Sequence, residues 1–286
     1  ERLHERVREV TRDIVDDIAA RGECDFVVDV AAELPLQVIA EIMGVPHEDR
    51  HQLFTWSNQM LGYDDPDVEG DPEAASIEIL NYFMPLAEER KANPQDDIVT
   101  KLVTSGEDGA GLTSDEFGFF VILLVVAGNE TTRNAITLGM KAFFENPDQW
   151  ELFCKERPET TYDEVIRWAT PVTAFQRTAL RDVEIGGHIV KQNERVGLLY
   201  ASANNDEAVF NEPRRFDITR DPNPHLAFGG HGAHYCIGAN LARLEVKIML
   251  NEIADAMPGI RANGDPVRFR SGWINGIKAL PVTYRD

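Results

Sequence analysis

The run Phe228-Gly229-Gly230-His231-Gly232-Ala233-His234-Tyr235-Cys236-Ile237-Gly238 sets one cysteine at the end of a glycine-rich loop. Gly230, Gly232 and Gly238 suit tight turns and close approach of the backbone to a flat ligand. An apolar-periodic segment follows and predicts a helix over 237–256, with Cys236 at the positive end of its dipole. That position lowers a thiol pKa and favours the thiolate. A single thiolate on such a loop can ligate a haem iron. Two other chemistries compete. His225, His231, His234 and Cys236 are close in sequence, as in a zinc site, yet His231, His234 and Cys236 lack the paired spacing of structural zinc. A free cysteine is also commonly a small buried hydrophobe, the reading that suits Cys24 and Cys154. The glycines favour haem-thiolate over zinc, and both over an inert thiol.

A second constellation, Ala127-Gly128-Asn129-Glu130-Thr131-Thr132, falls in the middle of a long apolar helical pattern. Glycine costs about 1 kcal/mol there relative to alanine, and a buried acid is costlier unless partnered or hydrated. The expectation is a local opening that holds water or a ligand, with an acid and an alcohol to pass protons inward. The bland alternative is a satisfied core threonine and a glutamate reaching solvent. Glu164 and Arg167 share a helix face at i, i+3. Alone they suggest a surface salt bridge of little energetic worth; Pro213-Arg214-Arg215-Phe216 offers a second guanidinium.

Several elements must position these residues. Leu3, Val7, Val10, Ile14 and Ile18 mark an amphipathic helix ended by Gly22, and 34–43 marks a second, with Pro35 in its first turn and Gly44 as its stop. Helices are expected over 74–91, through Pro85, and over 96–103; 63–72 reads as a loop and 106–111 as a turn. Thr113 and Glu116 form a capping-box pattern that opens a helix to about Glu145. At about 1.5 Å per residue it is about 48 Å long, and its run 119–127 is apolar enough to be buried on all sides. Further helices begin at Pro147 and Glu159. Beyond Pro171 short strands are expected at 183–185, 195–200, 267–269 and 279–284. Helices dominate, with small sheets grouped on one side.

The chain has 286 residues, 43% of them apolar, enough for a sizeable core. Its net charge of −21 argues against nucleic acid or an anionic membrane as the main partner. Arg214, Arg215, Arg220, Arg243 and Lys247 flank the cysteine loop, either as a basic surface for an acidic partner or as ordinary solvated charges. No transmembrane run of about 18 apolar residues is expected. The opening residues lack a signal-peptide pattern, and three scattered cysteines make no disulfide framework, which points to a reducing cytoplasm.

Taken together, the motifs at 127–132, Glu164-x-x-Arg167, Pro213-x-Arg215-Phe216 and 228–238 resemble a cytochrome P450, in the order found in that family. The resemblance runs over 1–286 and implies one domain with the mainly α cytochrome P450 fold, a helical prism with minor β-sheets. It implies haem b, with Cys236 as the iron ligand, His234 and Arg177 on the propionates, and Gly230 and Phe228 in the haem-binding loop. Thr131 and Glu130 would handle protons. Glu164, Arg167 and Arg215 would form a structural triad. Val126, Ala127, Val172, Ala174, Trp273 and Ile274 would touch substrate. Implied partners are O2, a ferredoxin and its NAD(P)H-dependent reductase.

The strings at 125–137, 167–180, 228–243 and 271–278 are similar to the actinobacterial steroid C26/C27-monooxygenases, which oxidise a terminal side-chain carbon of cholesterol or cholest-4-en-3-one. A methyl-branched fatty acid or another sterol is the alternative substrate, and a non-catalytic haem-binding fragment the alternative role. Two features depart from the family pattern. Phe228 lies eight residues before Cys236, where seven is usual, and Gly229 takes that place. Family members are also longer at the N-terminus, where the first sheet, much of the substrate lid and a further propionate contact reside.

Overall fold

The computed structural model describes residues 2–105, 111–230 and 232–284. The elements in chain order are α1 (Arg2–Ala19), β1 (Glu23–Asp25), α2 (Glu33–Ile42), α3 (Arg50–Leu61), α4 (Pro72–Ala92), α5 (Ile98–Thr104), α6 (Ser114–Glu145), α7 (Pro147–Glu156) and α8 (Thr161–Ala169). They continue with β2 (Ala174–Thr178), β3 (Val183–Ile185), β4 (His188–Val190), β5 (Arg195–Leu199), α9 (Tyr200–Ala203), α10 (Ala239–Ala256), β6 (Arg261–Ala262), β7 (Val267–Arg268), β8 (Ile277–Ala279) and β9 (Pro281–Thr283). Most of the expected turn at 106–111 lies outside the described residues, as does His231.

Local chemistry explains the boundaries. Val7, Val10, Ile14 and Ile18 of α1 are buried, and Gly22, at φ +86°, turns the chain out of the helix. Gly44, at φ +69°, does the same after α2. The α6 capping box is present: Glu116 N–H donates to Thr113 Oγ1 at 3.3 Å, and Thr113 N–H to Glu116 Oε2 at 2.9 Å. Asp71 caps α4 by accepting from the N–H groups of Glu73 and Ala74, and Asp97 caps α5 through Thr100.

Helix α6 is the axis of the fold and packs against α2, α3, α4, α8 and α10. Among the described residues it is the one helix long and apolar enough to cross a membrane, and its packing marks it as a core helix. One core joins its C-terminal half to α1, α7, α8 and α10; a second joins its N-terminal half to α2 through α5. The expectation of all-round burial over 119–127 is corrected: Val121 and Val125 are buried, whereas Phe119 is 77% and Leu123 56% exposed. An unbroken apolar run says nothing about which face has a partner, and here only the face carrying Phe117, Val121 and Val125 joins the core.

The sheets are small and antiparallel. β1, β9 and β6 form a three-stranded sheet in the order β1-β9-β6; β2 pairs with β5, β3 with β4, and β7 with β8. An isolated bridge joins Val172 to Ile274.

Candidate active site

The cysteine loop is held by its own backbone. Cys236 N–H donates to Phe228 O at 3.0 Å, Gly229 N–H to Leu226 O at 2.8 Å, and Tyr235 N–H to Gly232 O at 3.1 Å. Gly229 and Gly232 adopt φ of +87° and +113°, the region that favours glycine. Gly230 is not needed for such a turn; a Cβ there would meet only open space. Helix α10 starts at Ala239 behind Gly238, slightly later than the expected 237. Cys236 is exposed as a residue, yet desolvation of its thiol dominates and raises the pKa; the Gly238 N–H and the Arg243 charge pull the other way without prevailing. Burial thus outweighs the lowering expected from the start of the helix. Arg243 lies over the Phe228 ring, 4.6 Å from its centroid, and its Nε donates to Asp163 at 2.7 Å, with His225 on the same carboxylate oxygen at 3.1 Å. The Phe228 ring packs near His225 and Tyr235.

Arg177 and His234 line one pocket of ≈ 410 Å³, together with Leu198, Leu199, Tyr200, Leu226, Gly230 and Ala233. Arg177 is delivered by β2, opposite Val196 of β5. Ile237, 83% exposed, and Leu199, 62% exposed, add apolar surface beside the loop. Two donors apt for carboxylates, apolar walls and a cysteine two residues after His234 suit a flat apolar ligand with anionic edges and a metal centre. The residues therefore fit haem. Among the described residues no group of three or more His, Cys, Asp or Glu is arranged to hold a metal ion, and the zinc reading also requires His231, outside that set. Another surface pocket, lined by Gly44, Pro46, Tyr82, Pro85, Leu86, Glu89 and Arg90, contains none of these residues.

Glu164 and Arg167 form a buried hub, both side chains fully enclosed. Arg167 Nε and Nη2 bind Glu164 bidentately at 2.7 and 2.8 Å, and Arg167 Nη1 donates to the carbonyls of Asn204 and Pro213 at 2.7 and 3.0 Å. The second guanidinium is not that of Arg215, which is 60% exposed and reaches Glu212 at 3.4 Å. It is that of Arg220, whose Nε donates to Glu164 Oε2 at 3.0 Å. Asp217 N–H and Asn223 Nδ2 complete the carboxylate's shell. The turn after the buried Phe216 carries Arg220 back under α8 and leaves Arg215 outside.

At the centre of α6 the helix is continuous, and a Cβ on Gly128 would meet Ile39 Cδ1 at 2.9 Å, so this glycine admits α2. Thr131 Oγ1 donates to Ala127 O at 2.8 Å. Glu130 is wholly buried and paired with Arg133 and Asn134 rather than reaching solvent, while its Oε2 has no protein partner. Arg133 stands at i+3 from Glu130, a spacing that marks it in the sequence as the glutamate's partner. Glu245 of α10 carries no such signal: it is buried, it hydrogen-bonds Thr132, and burial pushes its carboxyl up to about 8.

Four of the six expected substrate-contacting residues come together. Val126, Val172, Trp273 and Ile274 pack in one small apolar cluster with Leu61, Val68 and Phe269. Ala174 begins β2 and Ala127 is exposed on α6, both outside that cluster. The expected basic surface is largely neutralised: Arg220 is tied to Glu164, Arg243 to Asp163, Lys247 to Glu159 and Arg215 to Glu212, and Arg214 remains exposed.

Residues 159–254 match the family model for Cytochrome P450. The chain is 36% identical to a cytochrome P450 of Mycobacterium marinum solved in complex with pseudoionone, with a TM-score of 0.94 over 99% of this chain and 70% of that one. The chain belongs to the cytochrome P450 family, whose members carry haem on a cysteine thiolate. It is 60% identical to a steroid C26-monooxygenase of Rhodococcus jostii over 99% of its length, and 57% identical to one of Mycolicibacterium smegmatis. It is 43% identical to a methyl-branched lipid omega-hydroxylase of Mycobacterium bovis, over 99% of this chain and 68% of that protein. The chain spans 60% and 66% of the lengths of the two steroid C26-monooxygenases.

Proposed function

We propose that this chain is part of a haem-thiolate monooxygenase that hydroxylates the terminal side-chain carbon of a sterol such as cholest-4-en-3-one. The carrying observation is the meeting of Arg177 and His234 in one pocket beside the Cys236 loop. Identity of 60% to a steroid C26-monooxygenase supports the choice of substrate. A methyl-branched lipid is the second reading, supported by the 43% identical relative.

Bound haem supplies a redox-active iron at which O2 is activated. Overall, a C–H bond becomes C–OH: one oxygen atom enters the substrate and the other leaves as water, with two electrons and two protons consumed. The electrons come from a ferredoxin and its reductase. Cys236 supplies the sulfur ligand on the loop fixed by Phe228 O. Arg177 and His234 bind the propionates. The Thr131 hydroxyl, anchored on Ala127 O, and the unpartnered Oε2 of Glu130 hold and pass protons. Val126, Val172, Trp273 and Ile274 exclude water and orient an apolar tail.

The carbon-monoxide spectrum of the reduced, haem-loaded protein tests the ligand. The thiolate-type band is expected for wild type, Cys24→Ala and Cys154→Ala, and is lost in Cys236→Ala. Product analysis tests the reaction, with oxygen expected on a terminal side-chain carbon of cholest-4-en-3-one. Retention of the band in Cys236→Ala overturns the ligand, and oxidation of the steroid rings overturns the substrate.

A further inference from the structure

The connection between α3 and α4, residues 62–71, is rich in Asp, Gly and Pro, yet it is seated tightly on the C-terminal hairpin. Its anchor is Asp65, only 3% exposed. Asp65 Oδ2 accepts from Arg270 N–H at 2.8 Å. Asp65 Oδ1 accepts from Lys278 Nζ at 2.8 Å and from Asp67 N–H at 3.0 Å. Lys278 Nζ also reaches Asp67 Oδ2 at 2.5 Å. Burial pushes the Asp65 carboxyl up, but these donors outweigh it and hold the group below the usual carboxylate range. Close packing reinforces the link: a Cβ on Gly62 would meet Val68 Cγ1 at 2.7 Å, so only glycine lets the connection fold down on itself.

Directly associated with this polar link is the apolar cluster of Leu61, Val68, Val126, Val172, Phe269, Trp273 and Ile274. The hairpin side is pinned independently: Thr173 N–H donates to Trp273 O at 2.8 Å, Asn275 N–H to Pro171 O at 2.8 Å, and Asn275 Nδ2 to Ala169 O at 2.6 Å. The 62–71 side has its charged ties to the hairpin in Asp65 and Asp67. A buried carboxylate that binds a backbone N–H and an ammonium of a distant segment is costly to disrupt, because the Arg270 N–H then loses its partner and the Lys278 ammonium one of its two carboxylates.

We propose that Asp65 is a positioning residue that clasps residues 62–71 onto the hairpin bearing Trp273 and Ile274, and so fixes the spacing of two walls of the substrate site. The inference rests on the substrate reading above. The clasp holds the walls at a separation suited to a rigid apolar tail and slows its escape, while leaving the iron side untouched. Asp65 touches neither substrate nor haem; it acts through Val68, Trp273 and Ile274.

The test compares wild type, Asp65→Asn and Lys278→Met as haem-loaded proteins; Lys278→Met keeps the Arg270 and Asp67 bonds and guards against a variant that fails to fold. Amide hydrogen exchange is followed over 62–71 and 268–276. Cholest-4-en-3-one affinity and dissociation rate are read from the ferric spin shift, and imidazole binding reports on access to the iron. Exchange in both segments and sterol dissociation should rise by about tenfold in Asp65→Asn, the scale of one lost charged hydrogen bond. Lys278→Met should lie in between, and imidazole affinity and the carbon-monoxide band should stay at wild-type values. Exchange and sterol dissociation within twofold of wild type overturn the clasp, as does an equal loss of imidazole and sterol affinity. If wild type gives the thiolate band but no sterol shift, the substrate reading fails, and the clasp stands or falls on the exchange data alone.

Discussion

Two buried glutamates, Glu164 on α8 and Glu245 on α10, solve the same problem in opposite ways. Glu164 receives both arms of Arg167, the Arg220 Nε, the Asp217 N–H and the Asn223 amide. Glu245 has the Thr132 hydroxyl beside it and no cation among the causes of its shift, and burial pushes its carboxyl up to about 8. Around the first, cations and N–H groups replace the water lost on burial. The second avoids the desolvation cost by holding a proton. Full satisfaction ties α8 to the turn after Phe216, whereas α10 meets α6 mainly through the apolar core they share. The same partial satisfaction recurs nearby on α6, where Glu130 Oε2 and both side-chain polar atoms of Asn129 are buried without a protein partner.

Removing the saturated carboxylate should do the most damage. Glu164→Ala strands two buried guanidinium groups, and its expected cost is about 3–5 kcal/mol, read as a fall in the denaturation midpoint; a loss under about 1 kcal/mol would break the contrast. The sparsely partnered carboxyl predicts a pH effect. The folded-state pKa of Glu245 lies above its unfolded value, so the folded protein binds the extra proton between about 4.5 and 8. Stability should therefore fall as pH rises through that window, by about 1.4 kcal/mol per pH unit from this group. Glu245→Gln should remove that part of the slope and be the more stable protein at the upper end, which urea titrations at several pH values would check. The smallest effect belongs to Arg215. Being exposed and weakly paired, it should cost no more than about 0.5 kcal/mol as Arg215→Ala. A larger loss would restore it to the hub in place of Arg220.

What could be read in the residues beforehand follows from the range of the physics involved. The capping box at Thr113 and Glu116, the glycine stops after α1 and α2 and the Glu164–Arg167 pair depend on neighbours within four positions, and all are present. The cysteine loop was legible for the same reason, although the left-handed turns fall at Gly229 and Gly232 rather than at Gly230. The choice between Arg215 and Arg220 depends on the path of a turn, which composition does not encode. The bare face at Phe119 and Leu123 was hidden because hydrophobicity records the wish for a partner, not its presence. Helix α3, strand β2 and the reach of Asp65 to Lys278, 213 positions away, carry no local signature at all.

The sheet β1-β9-β6 carries a consequence for how the chain is made. Glu23, Cys24 and Asp25 pair with Thr283, Val282 and Pro281. Tyr284 N–H donates to Gly22 O, and Phe26 N–H to Leu280 O. During synthesis residues 23–25 wait with open backbone groups until residues 281–283 have emerged. Their partner strand must close the loop between residues 25 and 281, a slow kind of contact to form. A nascent chain stopped before residue 281 would present β1 without the strand it pairs with, a bare edge open to pairing with another chain.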